Sequence, residues 1–243
     1  MLFVVLAAAL APSLLLVWYF HARDLNPEPA RVLWATYGLG VAVLIPEVVA
    51  AAPFGLAIRH LSDPIARGLL GAFLTAAIPE EAFKLLVVTR YCARHREFDE
   101  PMDGIVYGAV AGLGFAALEN VMYLAQAGMG LALLRAFTAV PNHAFMGAIL
   151  GYYVGQAKFA RSGRTGLLVR AYVYPVILHT LFDFPMLTIK AAGGMARSIG
   201  VPLLLVSAGT LIFEWVWVVR LVRRLRREQE ALAATGSPAR VVG

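Results

Sequence analysis

The sequence is short of charge and nearly without cysteine. Of its 243 residues, 15% are Asp, Glu, Lys or Arg and 60% are hydrophobic. Soluble domains carry about 25% charged residues, so a water-soluble globular fold does not fit. The single cysteine, Cys92, rules out an intramolecular disulfide and leaves the redox compartment unmarked. No polar stretch is long enough to fold separately, so residues 1–243 read as one integral-membrane domain. The apolar runs lack the alternation of membrane β-strands, and their length of about 20 residues is that of a spanning helix. An internal repeat, common in secondary transporters, is also missing. The fold class expected is all-α, a polytopic transmembrane helical bundle of about seven spans.

The net charge of +6 is a property of loops and tail. Anionic lipid headgroups and the positive-inside rule account for it without nucleic acid. The expected spans are 2–20, 33–52, 69–89, 104–125, 131–155, 171–189 and 201–219. The first lacks a basic leader region, so it reads as a retained anchor and not as a signal peptide. Residues 53–67 read as a connecting segment. A basic, disordered tail is expected over about 228–243, where Thr235, Gly236, Ser237 and Pro238 break any pattern. The loops after the first, third and fifth spans and the tail hold 15 of the 21 basic residues, against 5 on the other side. That places the chain in the cell membrane with its N-terminus outside and its C-terminus cytoplasmic.

Pro79-Glu80-Glu81-Ala82-Phe83-Lys84 breaks the third apolar run. Each charge at bilayer depth costs about 2.5–3.5 kcal/mol on insertion scales. On a helix Glu80 and Lys84 share a face, in the favourable order, while Glu81 points about 100° away. Other ionisable residues inside spans are Glu47, Glu119, His143, His179, Asp183 and Glu214. Intramembrane ionisable groups face a bundle interior or a wet cavity and mark functional sites. His179 and Asp183 are four apart on one face, as are Phe115 and Glu119, with Asn120 beside them; Asn142 precedes His143. Carboxylates and imidazoles suit zinc, whose bound water ionises near neutral pH and can lose its proton to a nearby carboxylate. Two carboxylates sharing a proton could also activate water without metal. Either arrangement makes a peptide-bond hydrolase inside the bilayer. Glu214, flanked by Trp215 and Trp217, reads as an interfacial structural residue. Glu47 reads as lying near a membrane edge or polar cavity. The glycines Gly108, Gly112 and Gly114 read as points of close helix packing.

Four motifs in order resemble the PrsW family of intramembrane proteases, within the wider group that contains the CAAX prenyl endopeptidases. They are Pro79-Glu80-Glu81-Ala82-Phe83-Lys84; the stretch 97–108 running into Phe115 and Glu119-Asn120; Pro141-Asn142-His143-Ala144; and His179-Thr180-Leu181-Phe182-Asp183. They cover about residues 75–190 of a motif-bearing core at about 69–190. The prenyl endopeptidases carry His where Glu119 stands and Asn where Asp183 stands. The resemblance implies cleavage of a single-span membrane protein, such as a membrane-anchored anti-sigma factor. It also implies Glu80, Glu81, Glu119, His143, His179 and Asp183 as catalytic residues. Lys84, Asn120 and Asn142 are expected to support them, and Glu119, His143 and His179 to hold zinc if a metal is used. Prenyl-protein processing is the alternative protease reading. An ion-coupled transporter and a non-catalytic, immunity-type member of the superfamily are the readings outside proteolysis.

Overall fold

The structure, a computed structural model, describes residues 2–193 and 196–235. The architecture is all-α, with no strand among the described residues. The helices are α1 (Leu2–His21), α2 (Ala30–Ala42), α3 (Leu44–Ile58), α4 (Pro64–Leu70), α5 (Ile78–Arg90), α6 (Pro101–Phe137), α7 (Ala139–Phe159), α8 (Arg164–Ala192) and α9 (Ala196–Thr235). The stretches Ala30–Ile58, Pro101–Phe137, Arg164–Ala192 and Gly200–Ala234 are long and apolar enough to cross a membrane by length and composition. The other three expected spans are helical as well.

α6 is the central helix. Residues 102–117 are all buried, because α1, α2 and α7 pack around them. Small residues make this possible. Gly104 and Gly108 of α6 face Gly151 and Gly147 of α7, and a Cβ at any of the four would fall on the opposing backbone carbonyl. Spacing of four keeps such residues on one helix face, so two backbones can touch along several turns. The apolar core continues from this seam through Tyr107, Leu113, Met146, Ile149 and Leu150.

Between α4 and α5 the helix widens into a π-helical segment, Gly71–Ala77. Pro79 follows it and has no N–H to give to the preceding turn, and wide turns of this kind are frequent at functional sites. Here it immediately precedes the Glu80-Glu81 pair. α4 and the π segment lean on α8, where Gly68 lies so close to Thr188 that it has no room for a side chain.

Several boundaries differ from the expected spans: residues 53–58 continue α3 and 64–67 open α4 where a connecting segment was expected, and α8 begins at Arg164. Residues 131–137 are not continuous with α7, because Thr138 (φ −125°, ψ −76°) separates them, and within α6 Gly128 (φ 80°, ψ −177°) is non-helical and kinks the chain between two helical pieces. Glycine alone adopts that conformation without strain. Part of the expected tail is ordered: residues 228–235 continue α9 as helix. Arg224–Glu228 and Arg226–Glu230 ion pairs, four apart, support it, and Gln229 is buried against the first loop. Residues 236–243 lie outside the described residues.

Candidate active site

Four helices bring the polar residues of the motifs together inside the bundle. α5 supplies Glu80, Glu81 and Lys84, α6 supplies Glu119, α7 supplies His143, and α8 supplies His179 and Asp183. Lys84 is at the centre. Its ammonium donates to Glu81 Oε1 at 2.8 Å, Glu80 Oε2 at 3.2 Å and His143 Nδ1 at 2.9 Å. It also lies 4.6 Å from the centre of the Phe115 ring, a favourable seat for a desolvated cation.

From this hub two chains of contacts run outward. In one, His143 Nε2 meets Glu119 Oε2 at 2.9 Å, and Glu119 is ion-paired with Arg135 at 2.5 Å. In the other, His179 Nδ1 meets Glu81 Oε1 at 3.0 Å and its Nε2 meets Asp183 Oδ2 at 3.3 Å. The two imidazoles are edge to face, 5.5 Å between centres. An ammonium only donates, so His143 accepts on Nδ1 and carries its hydrogen on Nε2. His179 faces a carboxylate with each nitrogen and satisfies both only as the doubly protonated ring.

The hub is sealed. Glu81 and Lys84 are 0% and 1% exposed, and His143 and His179 are buried beside them. The outer ends are open: the Glu119 and Asp183 side chains are 19% and 31% exposed. Within this hub the Lys84 ammonium lies between the Glu80 and Glu81 carboxylates, so buried charges of opposite sign meet.

The metal-ligating geometry differs from the set expected from sequence. Glu80, Glu81 and His179 each offer a donor atom within 4.8 Å of the others. Glu119 and His143 are joined to each other instead. Asn120 takes no part, because its amide donates to the Ala9 carbonyl of α1. Asn142 points to α9: with its nitrogen toward Glu214, the amide donates to both carboxylate oxygens, at 3.2 and 2.5 Å.

Three residues outside the expected catalytic and supporting set lie at the site. Glu214 is fully buried and within electrostatic reach of His179, Glu81 and Asp183. Its flanking tryptophans suggested an interface, yet only Trp215 turns outward, Trp217 packs against Tyr174, and Glu214 turns in. Glu47 is buried within reach of Lys84, Glu119 and His179. Arg135 was not among the ionisable residues singled out in the spans; beyond the kink at Gly128 it lies over Tyr123, 3.9 Å from the ring centre, and pairs with Glu119.

A family model described as "PrsW family intramembrane metalloprotease" matches residues 28–212. Among curated proteins, the chain is 37% identical to Protease PrsW of Geobacillus kaustophilus over 187 residues, 76% of this chain and 81% of that protein. It is 34% identical to Protease PrsW of Bacillus subtilis over 185 residues, 75% of this chain and 83% of that protein. No solved structure is similar to it. The matched region contains the network from Glu80 to Asp183, with Glu214 just beyond it, and on this family match and these identities the chain belongs to the PrsW family of intramembrane proteases.

Proposed function

We propose that the chain is an endopeptidase that hydrolyses a peptide bond of a single-span, membrane-anchored protein of the anti-sigma-factor kind, within or beside the bilayer. The observation that carries this reading is the connected network from Asp183 through His179, Glu81, Lys84 and His143 to Glu119, buried at its middle and open at its ends. A multi-pass arrangement in the cell membrane, with the C-terminus cytoplasmic, follows from the distribution of basic residues.

Glu80, Glu81 and His179 suit a zinc ion: a nitrogen donor and carboxylate oxygens are its usual partners, and Glu81 Oε2 is buried without a hydrogen-bond partner. Bound there, zinc would polarise the scissile carbonyl and acidify a water. Glu119, at the open edge and outside that donor set, takes the proton of the attacking water. The same carboxyl then gives that proton to the leaving amine, while the His143 Nε2–H, bonded to it, holds it in place. Lys84 bridges the paired glutamates, and Asp183 orients the His179 ring, as carboxylates behind a ligand histidine do.

A second reading is favoured by Lys84, whose ammonium already lies 2.8–3.2 Å from both glutamates in a cation's place. In it Glu80, which has fewer direct contacts than Glu81, is the general base. The substrate carbonyl then displaces Asp183 from His179 and takes its hydrogen bond, as an oxyanion donor would supply it.

Zinc content of active protein decides between them, alongside mass spectrometry of the termini of a co-expressed, tagged single-span anti-sigma factor. The metal reading expects near-stoichiometric zinc, lost in His179→Ala and Glu81→Gln but kept in His143→Ala. Active protein without zinc leaves the Glu80 reading. Cleavage far outside the membrane-proximal region would overturn the intramembrane assignment.

A further inference from the structure

A second carboxylate cluster stands at the end of the bundle where the loop between α1 and α2, the start of α6 and the C-terminal part of α9 meet. Asp24, Glu28, Glu100 and Asp103 are all buried, none more than 6% exposed. Among the described residues none of the four forms an ion pair. Lys158, which is within electrostatic reach of Asp103 and Glu28, is engaged by the Phe98 carbonyl and lies over the Phe98 ring.

Half of the oxygens are accounted for. Asp24 Oδ1 accepts from the Asn26 backbone N–H at 3.0 Å and from Gln229 Nε2 at 2.6 Å. Glu100 Oε1 accepts from the same Gln229 nitrogen at 2.5 Å and from Asn26 Nδ2 at 3.2 Å. Asp103 Oδ2 accepts from the Asp99 and Glu100 backbone N–H groups, at 2.7 and 2.8 Å. Glu28 Oε2 accepts from the Tyr107 hydroxyl. Two oxygens have nothing: Asp24 Oδ2 and Glu28 Oε1 are buried with no hydrogen-bond partner. The Glu28 carboxyl lies within hydrogen-bonding reach of that of Asp103, a pair that bonds when one of them is protonated and leaves two acceptors face to face when both are ionised. Asp24, Glu100 and Asp103 each place an oxygen within 4.8 Å of the others.

Acceptors that face one another in a buried space need a positive partner between them. We propose that Asp24, Glu28, Glu100 and Asp103 form a binding site for a hard divalent cation, Mg2+ or Ca2+, that ties the first loop and the start of α6 to the C-terminal helix. The donors are all oxygen, with no imidazole or thiolate, which selects the hard ions over zinc or copper. Gln229 bridges Asp24 and Glu100 from α9, so the filled site also anchors that helix. The site is separate from the His179 network and does not depend on its chemistry.

The test uses the full chain in detergent, stripped with EDTA and freed of chelator. Mg2+ or Ca2+ alone is added up to millimolar concentration while thermal unfolding is followed. A saturable rise in Tm of about 5 °C is expected, with the preferred ion half-saturating at the lower concentration. Terbium(III), a hard-ion probe excited through Tyr107, should luminesce and be displaced by that ion. The Glu28→Gln/Asp103→Asn variant should lose both responses, and His179→Ala should keep them. If the double variant does not fold, Asp24→Asn serves, with half-saturation raised about tenfold by the missing ligand charge. A stripped wild type that neither shifts nor binds terbium overturns the proposal and leaves protons shared between the carboxylates. So does a response undiminished in Asp24→Asn and the double variant.

Discussion

The Lys84 ammonium stands 2.9 Å from Nδ1 of His143. That contact sets the tautomer of the histidine, because only Nε2 is then left to donate to Glu119. A neutral, singly oriented imidazole is thereby held between a fixed cation and the carboxylate at the open edge. Lys84 is thus both counterion to Glu80 and Glu81 and the device that aims His143.

Removing that charge has a measurable consequence. Lys84→Met leaves two buried carboxylates with their shared cation gone, and breaking a buried pair costs about 3–5 kcal/mol. The variant should unfold well below wild type in detergent and cleave nothing. Lys84→Arg keeps the charge, but a planar fork does not reproduce three divergent contacts; it should regain stability and not activity. Wild-type thermal stability in Lys84→Met would contradict the buried-hub arrangement.

The seam between α6 and α7 makes a second prediction. A methyl group at Gly151 falls on the Gly104 carbonyl, whereas one at Gly130 meets nothing within 4 Å. Overpacking costs about 1–3 kcal/mol, and helices forced apart also lose their small-residue contact. Gly151→Ala should lower thermal stability by several degrees and Gly130→Ala should not. Equal behaviour of the two would show that the seam is not tight.

Cys92 gives a reading of the loop side of α5. The thiol is fully buried beside Thr36, 3.4 Å from its hydroxyl, and burial pushes its pKa up to about 12. The group is therefore the unreactive thiol throughout the neutral and mildly alkaline range, since the thiolate is the nucleophile. Maleimide should not label the folded protein between about pH 7 and 9 and should label it once it is unfolded. Rapid labelling of folded protein at pH 7 would mean that α5 and α2 are not packed here.

Glu214 tests whether α9 belongs to the site. Glu214→Gln keeps a hydrogen-bonding group opposite Asn142 and should retain the fold. Glu214→Leu strands the Asn142 amide, at about 1–3 kcal/mol, and should lower activity with stability. A Glu214→Leu protein as stable and active as wild type would return Glu214 to the membrane surface.

The glutamate pair, Lys84, Glu119, His143 and His179 were legible because each interrupts an apolar run, and a charge there demands compensation. Asp183 was legible from its spacing to His179. Glu214 was not: Trp215 and Trp217 imitate an interfacial belt, and only helix rotation separates inward from outward. Arg135 was hidden by the bend at Gly128, since a glycine in an apolar run has many uses and its positive φ leaves no sequence mark. Which carboxylates group with which histidine is a matter of helix packing. Spacing along α6 and α7 carries no sign that Glu119 meets His143 while His179 meets Glu81. The extension of α9 to Thr235 depends on Gln229 reaching Asp24, a contact about two hundred residues away in sequence.

The most direct measurement is cleavage of a tagged single-span anti-sigma factor by the purified chain in proteoliposomes without an ion gradient, wild type against Glu81→Gln matched for folding by elution and thermal profile. The account predicts a membrane-proximal product from wild type and none from the variant. Equal product from Glu81→Gln would contradict it, since hydrolysis would then not depend on the buried network.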